Sequence, residues 1–302
     1  MTEALKVGRR RVEISHSDRV LFRKAGVTKL DLARYYESVG EWMVPHARDR
    51  PAALQSFPQG VEGWGFFTKD IPGHFPDWIS RVRVKKRGGT VCHPLLNDVA
   101  TLVYLAGQNC VTQHLWLSRR DQIRRPDRLI FDLDPATERF AEVRAAARSL
   151  GELLRELGLE PFAMTTGSRG LHVTVPLRRT AVFDEVRQFA REVAGAFVSL
   201  HPKRLTTEQR KDKRGGRLFV DVLRNAYAQH AVAPYSVRAR PTAPVAAPLH
   251  WDELSERSLK PRRFTTQNVP DRLATEGDPW AGIGRRARSI TKPRKRLARS
   301  AT

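Results

Sequence analysis

The chain has 302 residues, with 54 Lys and Arg against 32 Asp and Glu, so its formal charge is +22 and its sequence pI is near 11.0. Such an excess excludes an acidic binding module and favours a polyanionic partner, nucleic acid first, through field focusing and counterion release. Two cysteines without metal-knuckle spacing exclude a disulfide scaffold, and the most apolar stretch, Val99 to Gly107, is too short to span a bilayer. A reducing, cytoplasmic setting with no membrane partner is the expectation. The excess is not confined to one end: without the eight cations of residues 285–302 the remainder still carries +14.

In chain order, Thr28 with Asp31 forms a Thr-x-x-Asp variant of the capping box and predicts a helix through Leu32, Ala33, Tyr35 and Tyr36. A second helix is predicted over Pro94 to Gly107. Leu129-Ile130-Phe131-Asp132-Leu133-Asp134-Pro135 predicts a core strand, followed by a helix over Glu138 to Leu157 with one apolar stripe. Phe162 to Thr166 and Leu171 to Pro176 bracket Gly167-Ser168-Arg169-Gly170 and predict a hairpin. Phe183 to Leu200 predicts another helix, stopped before Pro202. Arg217 to Val222 predicts a further strand, and Ala233 to Pro241 a proline-bounded one in which Arg238 and Arg240 share a face. Lys203 to Gly216 and the tail from Gly282 are expected to be loops or mobile segments. Helices alternating with strands and hairpins point to an α+β fold.

Residues two apart on a strand share a face roughly 6.5–7 Å apart, so Asp132 and Asp134 can grip shared cations while Leu133 enters the core. Asp221 adds a third acid on another strand. Three carboxylates over two strands suffice for two divalent ions and phosphoryl transfer if those strands lie side by side. Each acid also has a plainer reading, as a turn or cap before Pro135 or as the partner of Arg224. The glycines around Ser168 and Arg169 permit an anion cradle built from backbone N–H groups, hydroxyls and a guanidinium, or a simple polar turn. Arg238 and Arg240 suit polyphosphate clamping.

Jointly, these residues resemble the polymerase domain of bacterial ATP-dependent DNA ligase D, of the archaeo-eukaryotic primase superfamily. The likeness runs from about Ile14 to Trp280. It rests on Asp18 to Phe22 with Val27-Thr28-Lys29, Gly65 to Lys69, Phe75 to Trp78, Phe131 to Pro135, Thr166 to His172, Asp221 to Asn225 and Pro234 to Arg240. The resemblance implies a primase-like catalytic core with an RRM-like sheet and a smaller N-terminal α/β module, here a catalytic domain over 1–281 and a basic tail over 282–302. It implies template-directed extension of primers and filling of short gaps with a downstream 5′-phosphate, favouring ribonucleotides, in end joining or gap repair. By the same likeness Asp132, Asp134 and Asp221 bind two metal ions, Mn2+ or Mg2+. His114, Thr166, Ser168, Arg169, His172, Arg224, Arg238 and Arg240 surround the incoming NTP or dNTP. Arg19 and Lys29 hold the 5′-phosphate, with Phe66, Phe67 and Lys69 along the DNA. The Ku protein and a separate DNA ligase are the expected partners beside DNA. The chain departs from the family pattern at Arg169 and Arg19, where lysine is usual, at Gln55 and Ser56, where basic residues are common, and at His230, a frequent threonine position. It is expected to act as a stand-alone polymerase, with de novo primer synthesis or a non-catalytic DNA-end adaptor as alternatives.

Overall fold

The computed structural model describes residues 1–300, which fall into two compact units. The first comprises Met1–Trp116, His230–Ala247 and Phe264–Asp278; the second comprises Leu117–Gln229, Pro248–Arg263 and Pro279 to the end of the described residues. The first unit, which holds the N-terminal residues, also draws on two later segments. No described helix is long and apolar enough to cross a membrane.

The first unit is built on a four-stranded antiparallel sheet in the order His230–Val232, Cys110–Trp116, Ala52–Ser56, Phe66–Thr68. Beside it lies the helix Lys29–Ala47, whose N-cap is Thr28 with both capping-box bonds to Asp31 present. This helix packs on Val99–Gly107. Gly40 makes the approach possible, since a Cβ there would stand 2.6 Å from Val99 Cγ1. The second predicted helix begins five residues late, because Gly89–Pro94 is a strand and Asp98 supplies the N-cap by accepting from Thr101 N–H. A buried polar network ties the later segments to this unit. Tyr235 donates to Asp278 at 2.5 Å, Asp278 bonds His46 Nε2 at 2.7 Å, and Tyr35 donates to the Tyr235 carbonyl at 2.8 Å.

The second unit contains a six-stranded sheet in the order Leu205–Thr206, Leu218–Asp221, Arg128–Asp134, Leu171–Pro176, Phe162–Thr165, Pro248–Leu249. Its four central strands carry the helices Phe140–Glu156 and Phe183–Leu200 after the first and third in chain order. This is the β-α-β-β-α-β connection expected of an RRM-like sheet. Both helices bury the stripes read from the sequence, including Val143, Ala147, Leu150 and Leu154 in one and Val186, Phe189, Val193 and Phe197 in the other. Both pack against the strand Arg128–Asp134.

Two expectations are corrected here. The tail, expected to be mobile, forms a 3-10 turn over Ile283–Arg286 and a helix over Thr291–Ser300, with Ile290 and Leu297 buried and Arg294 paired to Glu192. Ala233 to Pro241 is not a strand. Tyr235 has φ 67, and the Arg240 N–H folds back onto the Arg238 carbonyl at 2.7 Å, so the period of two does not apply to these arginines.

Candidate active site on the six-stranded sheet

The strand Arg128–Asp134 runs apolar and buried through Leu129, Ile130, Phe131 and Leu133, and its C-terminal end carries Asp132 and Asp134 half-buried on one face. In the antiparallel register Asp132 stands opposite Asp221 on one side and His172 on the other. The three acids expected at the site are therefore brought together by the pairing of the central strands. Asp221 accepts the Leu223 N–H at 2.7 Å. Its carboxyl is nonetheless held above the usual range, first by burial and also by the charges of Asp132 and Asp134.

Three guanidinium groups and an imidazole approach these acids without closing on them. His172 Nε2 is 3.6 Å and Arg224 Nε 3.9 Å from Asp132 Oδ2, while Arg169 Nη2 is 3.7 Å and Arg214 Nη1 3.6 Å from the Asp134 carboxylate. All four distances exceed good hydrogen bonds. Arg214 was not among the expected residues. Its guanidinium lies 4.0 Å from the Phe219 ring centre and nearly all of it is buried. The hairpin turn is organised by Thr166, whose N–H and hydroxyl both reach the Gly170 carbonyl, and by Gly167 at φ +64. Gly170 permits a close approach, since a Cβ there would lie 2.3 Å from the Leu133 carbonyl oxygen. Ser168 donates its N–H to Thr166 Oγ1 at 3.3 Å. Buried His172 leaves Nδ1 without a hydrogen-bond partner among the described residues, a capacity that calls for a ligand or water.

The donor set fits a hard divalent cation, because carboxylate oxygens are the ligands Mg2+ and Mn2+ favour. As they stand, the described residues bring no group of three or more His, Cys, Asp or Glu close enough together to hold a metal ion.

The remaining expected residues lie in the first unit. His114 is on the strand Cys110–Trp116, its ring 5.4 Å from Phe67 and 5.5 Å from His230. Phe67 is half exposed and lies nearly parallel to His230 at 6.1 Å. Phe66, one residue earlier, stacks instead on Trp64 at 5.0 Å, as strand alternation requires. Trp64, 71% exposed, was also missed. Lys69 is exposed just beyond this strand. Arg19 donates to the Pro58 carbonyl, and Lys29 sits at the first turn of its helix, donating to the Ser15 carbonyl at 2.7 Å. Burial, with Arg19 adding to it, lowers the Lys29 pKa. Paired cations at a helix N-terminus suit an anion. Arg238 and Arg240 occupy the turn described above.

A β-α-β-β-α-β sheet with three acids at adjacent strand ends, ringed by arginine and histidine, defines a nucleotidyltransferase of the primase-polymerase type. The chain belongs to the LigD primase-polymerase domain family, whose model matches residues 28–280. It is 34% identical over 276 residues to the multifunctional non-homologous end joining protein LigD of Mycolicibacterium smegmatis, covering 90% of this chain and 36% of that protein. The protein of the same description from Pseudomonas aeruginosa is 34% identical over 302 residues, covering 95% of this chain and 35% of that one. The chain thus spans about a third of the length of these curated relatives. A solved structure, the polymerase domain from Mycobacterium tuberculosis Ligase D in complex with DNA, matches with a TM-score of 0.86 at 33% identity, covering 92% of this chain and 99% of that chain. The resemblance drawn from the motifs, and the primase-like fold it implied, are borne out.

Proposed function

We propose that this chain extends primers on DNA templates at breaks and short gaps bearing a downstream 5′-phosphate, adding ribonucleotides in preference to deoxyribonucleotides, in DNA repair by end joining. The observation that carries the reading is the register that sets Asp132 opposite Asp221 with Asp134 two residues on. These three would hold two divalent ions, Mn2+ or Mg2+, which when bound supply Lewis-acid stabilisation of charge on the transferring phosphoryl group. The chain's own groups do the rest. Arg169, Arg224 and His172, spaced 3.6–3.9 Å from the acids, are loose enough to turn to a triphosphate. Thr166 and Ser168 fix the turn that presents Arg169. His114, Arg238 and Arg240 are assigned to the nucleotide by likeness to the family. Arg19 and Lys29 are assigned to the 5′-phosphate, Phe66, Phe67 and Lys69 to the template, and stacking on Phe67 would be sequence-tolerant. DNA is the proposed polyanionic partner, in keeping with the DNA-bound relative, with Ku and a separate ligase as further partners.

The test is extension across a short gap with a downstream 5′-phosphate, with ribo- and deoxyribonucleotides compared in manganese. Wild type should extend, and Asp134→Ala should lose at least about a hundredfold in rate, as expected for a group that stabilises transition-state charge, while still binding DNA. Substantial extension by the variant sinks the assignment. Binding without extension by either protein would favour a DNA-end adaptor, and dinucleotides formed on a bare single strand would favour a primase.

A further inference from the structure

The six-stranded sheet has a second charged end. Its central strand begins at Arg128, opposite Pro176, and reaches Asp134 six residues later, so at roughly 3.3 Å per residue the two ends lie about 20 Å apart. Beyond the Arg128 end, Leu177 bridges in parallel to Arg288, the Arg288 N–H bonds the Pro176 carbonyl, and the Arg178 N–H bonds the Arg288 carbonyl at 2.9 Å. Arg125 donates to the Thr180 carbonyl at 2.7 Å. Arg124, Arg125, Arg178, Arg285, Arg286 and Arg288 are thereby gathered, all exposed, around one edge of the second unit.

The helix Thr291–Ser300 continues this surface. Ile290, Pro293 and Leu297 form its buried stripe, and Arg294 is locked to Glu192 at 2.9 Å. Lys292, Lys295, Arg296 and Arg299 fall at i, i+3, i+4 and i+7, all exposed. At about 100° per residue they centre roughly opposite the apolar stripe. From Lys292 to Arg299 the cations span about 10 Å of helix, a length that faces about six charges of duplex DNA at one per roughly 1.7 Å. Three nearby acids are engaged elsewhere: Asp121 with Arg179, Glu185 with the Val182 N–H, and Glu192 with Arg294. A membrane surface is the poorer match, because an interfacial helix must offer apolar side chains beside its cations. Here the apolar stripe is already buried in the protein.

We propose that this arginine-rich end of the second unit, with the helix Thr291–Ser300, is a second docking surface for duplex DNA, gripping phosphates about 20 Å from the catalytic carboxylates. It rests on the polymerase reading only for the identity of the polyanion and for where the reacting end lies. At roughly 3.4 Å per base pair the separation corresponds to about six base pairs. The grip is electrostatic and sequence-independent.

The test is the salt dependence of binding, by fluorescence anisotropy, of a gapped duplex with long flanks to the full chain and to R285Q/R286Q/K292Q/K295Q. Each phosphate that the protein no longer neutralises lowers the slope of log K against log salt by about 0.9, so the variant slope should fall by about 3 to 4, with at least tenfold weaker binding at low salt. Trimming the flanks below about six base pairs should bring wild type toward the variant's slope. A variant slope equal to wild type on the long duplex would overturn the proposal, as would wild-type capture by phosphatidylglycerol vesicles in preference to duplex. No turnover is involved, so failure of wild type to extend a primer would sink the polymerase reading and leave this result standing.

Discussion

Replacing Asp221 with asparagine should stabilise the metal-free protein while destroying its activity. Asp221 and Asp132 are register partners, and such pairs in antiparallel sheets have Cα atoms about 4.5–5.5 Å apart. Two unit negative charges at about that spacing would repel by roughly 3 kcal/mol at an effective dielectric of about 20. The guanidiniums of Arg224, Arg169 and Arg214 offset part of this, leaving a net of about 1 kcal/mol. Asparagine keeps the size and the oxygen that accepts the Leu223 N–H. A gain of about 1 kcal/mol corresponds to roughly 2–4 °C in melting temperature for a protein of a few hundred residues. The sign with pH follows from burial and like charges raising the Asp221 pKa. A raised carboxyl pKa favours the folded state when the group is protonated, and that contribution is lost as pH rises through the folded value. The variant's advantage should therefore be full at pH 7 and vanish as pH falls through the raised pKa toward the ordinary aspartate value of about 3.9. Differential scanning calorimetry of both proteins in chelator, from pH 7 downward, measures it. With millimolar manganese the order should reverse, since a ligand that binds the folded state stabilises only the protein that holds it. A variant less stable than wild type at pH 7 in chelator, or a difference independent of pH, refutes the reasoning.

Gly170→Ala should cost about 1–3 kcal/mol by overpacking and, on the proposed function, lower extension at least tenfold, because the added methyl meets the Leu133 carbonyl between Asp132 and Asp134; urea unfolding and a primer assay read the two effects. Tyr235→Phe removes a hydroxyl that donates to a buried carboxylate and should cost about 1.5–3 kcal/mol by chemical denaturation, the range for hydrogen bonds to charged groups. It should also raise the nucleotide KM more than it lowers kcat, because Tyr235 anchors the segment leading to Arg238 and Arg240, which are proposed to bind the nucleotide. Phe67→Ala should weaken binding of a single-stranded template overhang by tenfold or more, base stacking on an aromatic ring being worth about 1–3 kcal/mol, and leave blunt duplex binding much less affected.

Much of the second unit was legible because its signals are local. The apolar run ending in two acids, the glycine-bracketed hairpin and the two amphipathic helices each follow from periodicity and punctuation within a dozen or so residues. The convergence of Asp221 on Asp132 depends on long-range strand pairing, and only the likeness to a family anticipated it. Arg214 was illegible for the same reason, since nothing in Lys203 to Gly216 marks one cation among several as the one folded over Phe219. The tail was misread because its apolar stripe is only three residues, Ile290, Pro293 and Leu297, diluted by charge. Arg238 and Arg240 were misplaced because alternation assumes extended backbone, whereas Tyr235 and Ala243 both have positive φ.

The first unit's sheet is completed by a strand, His230–Val232, that lies more than a hundred residues after its neighbour Cys110–Trp116. During synthesis the ribosome must therefore deliver the whole stretch between them before that sheet can close. Until then Cys110–Trp116 presents a bare hydrogen-bonding edge, the kind of template on which nascent chains aggregate. Slow folding with high contact order follows. So does a practical rule for dissecting the molecule: a fragment ending near Trp116 cuts through this unit, and a soluble N-terminal piece would have to carry residues 230–247 and 264–278 with it.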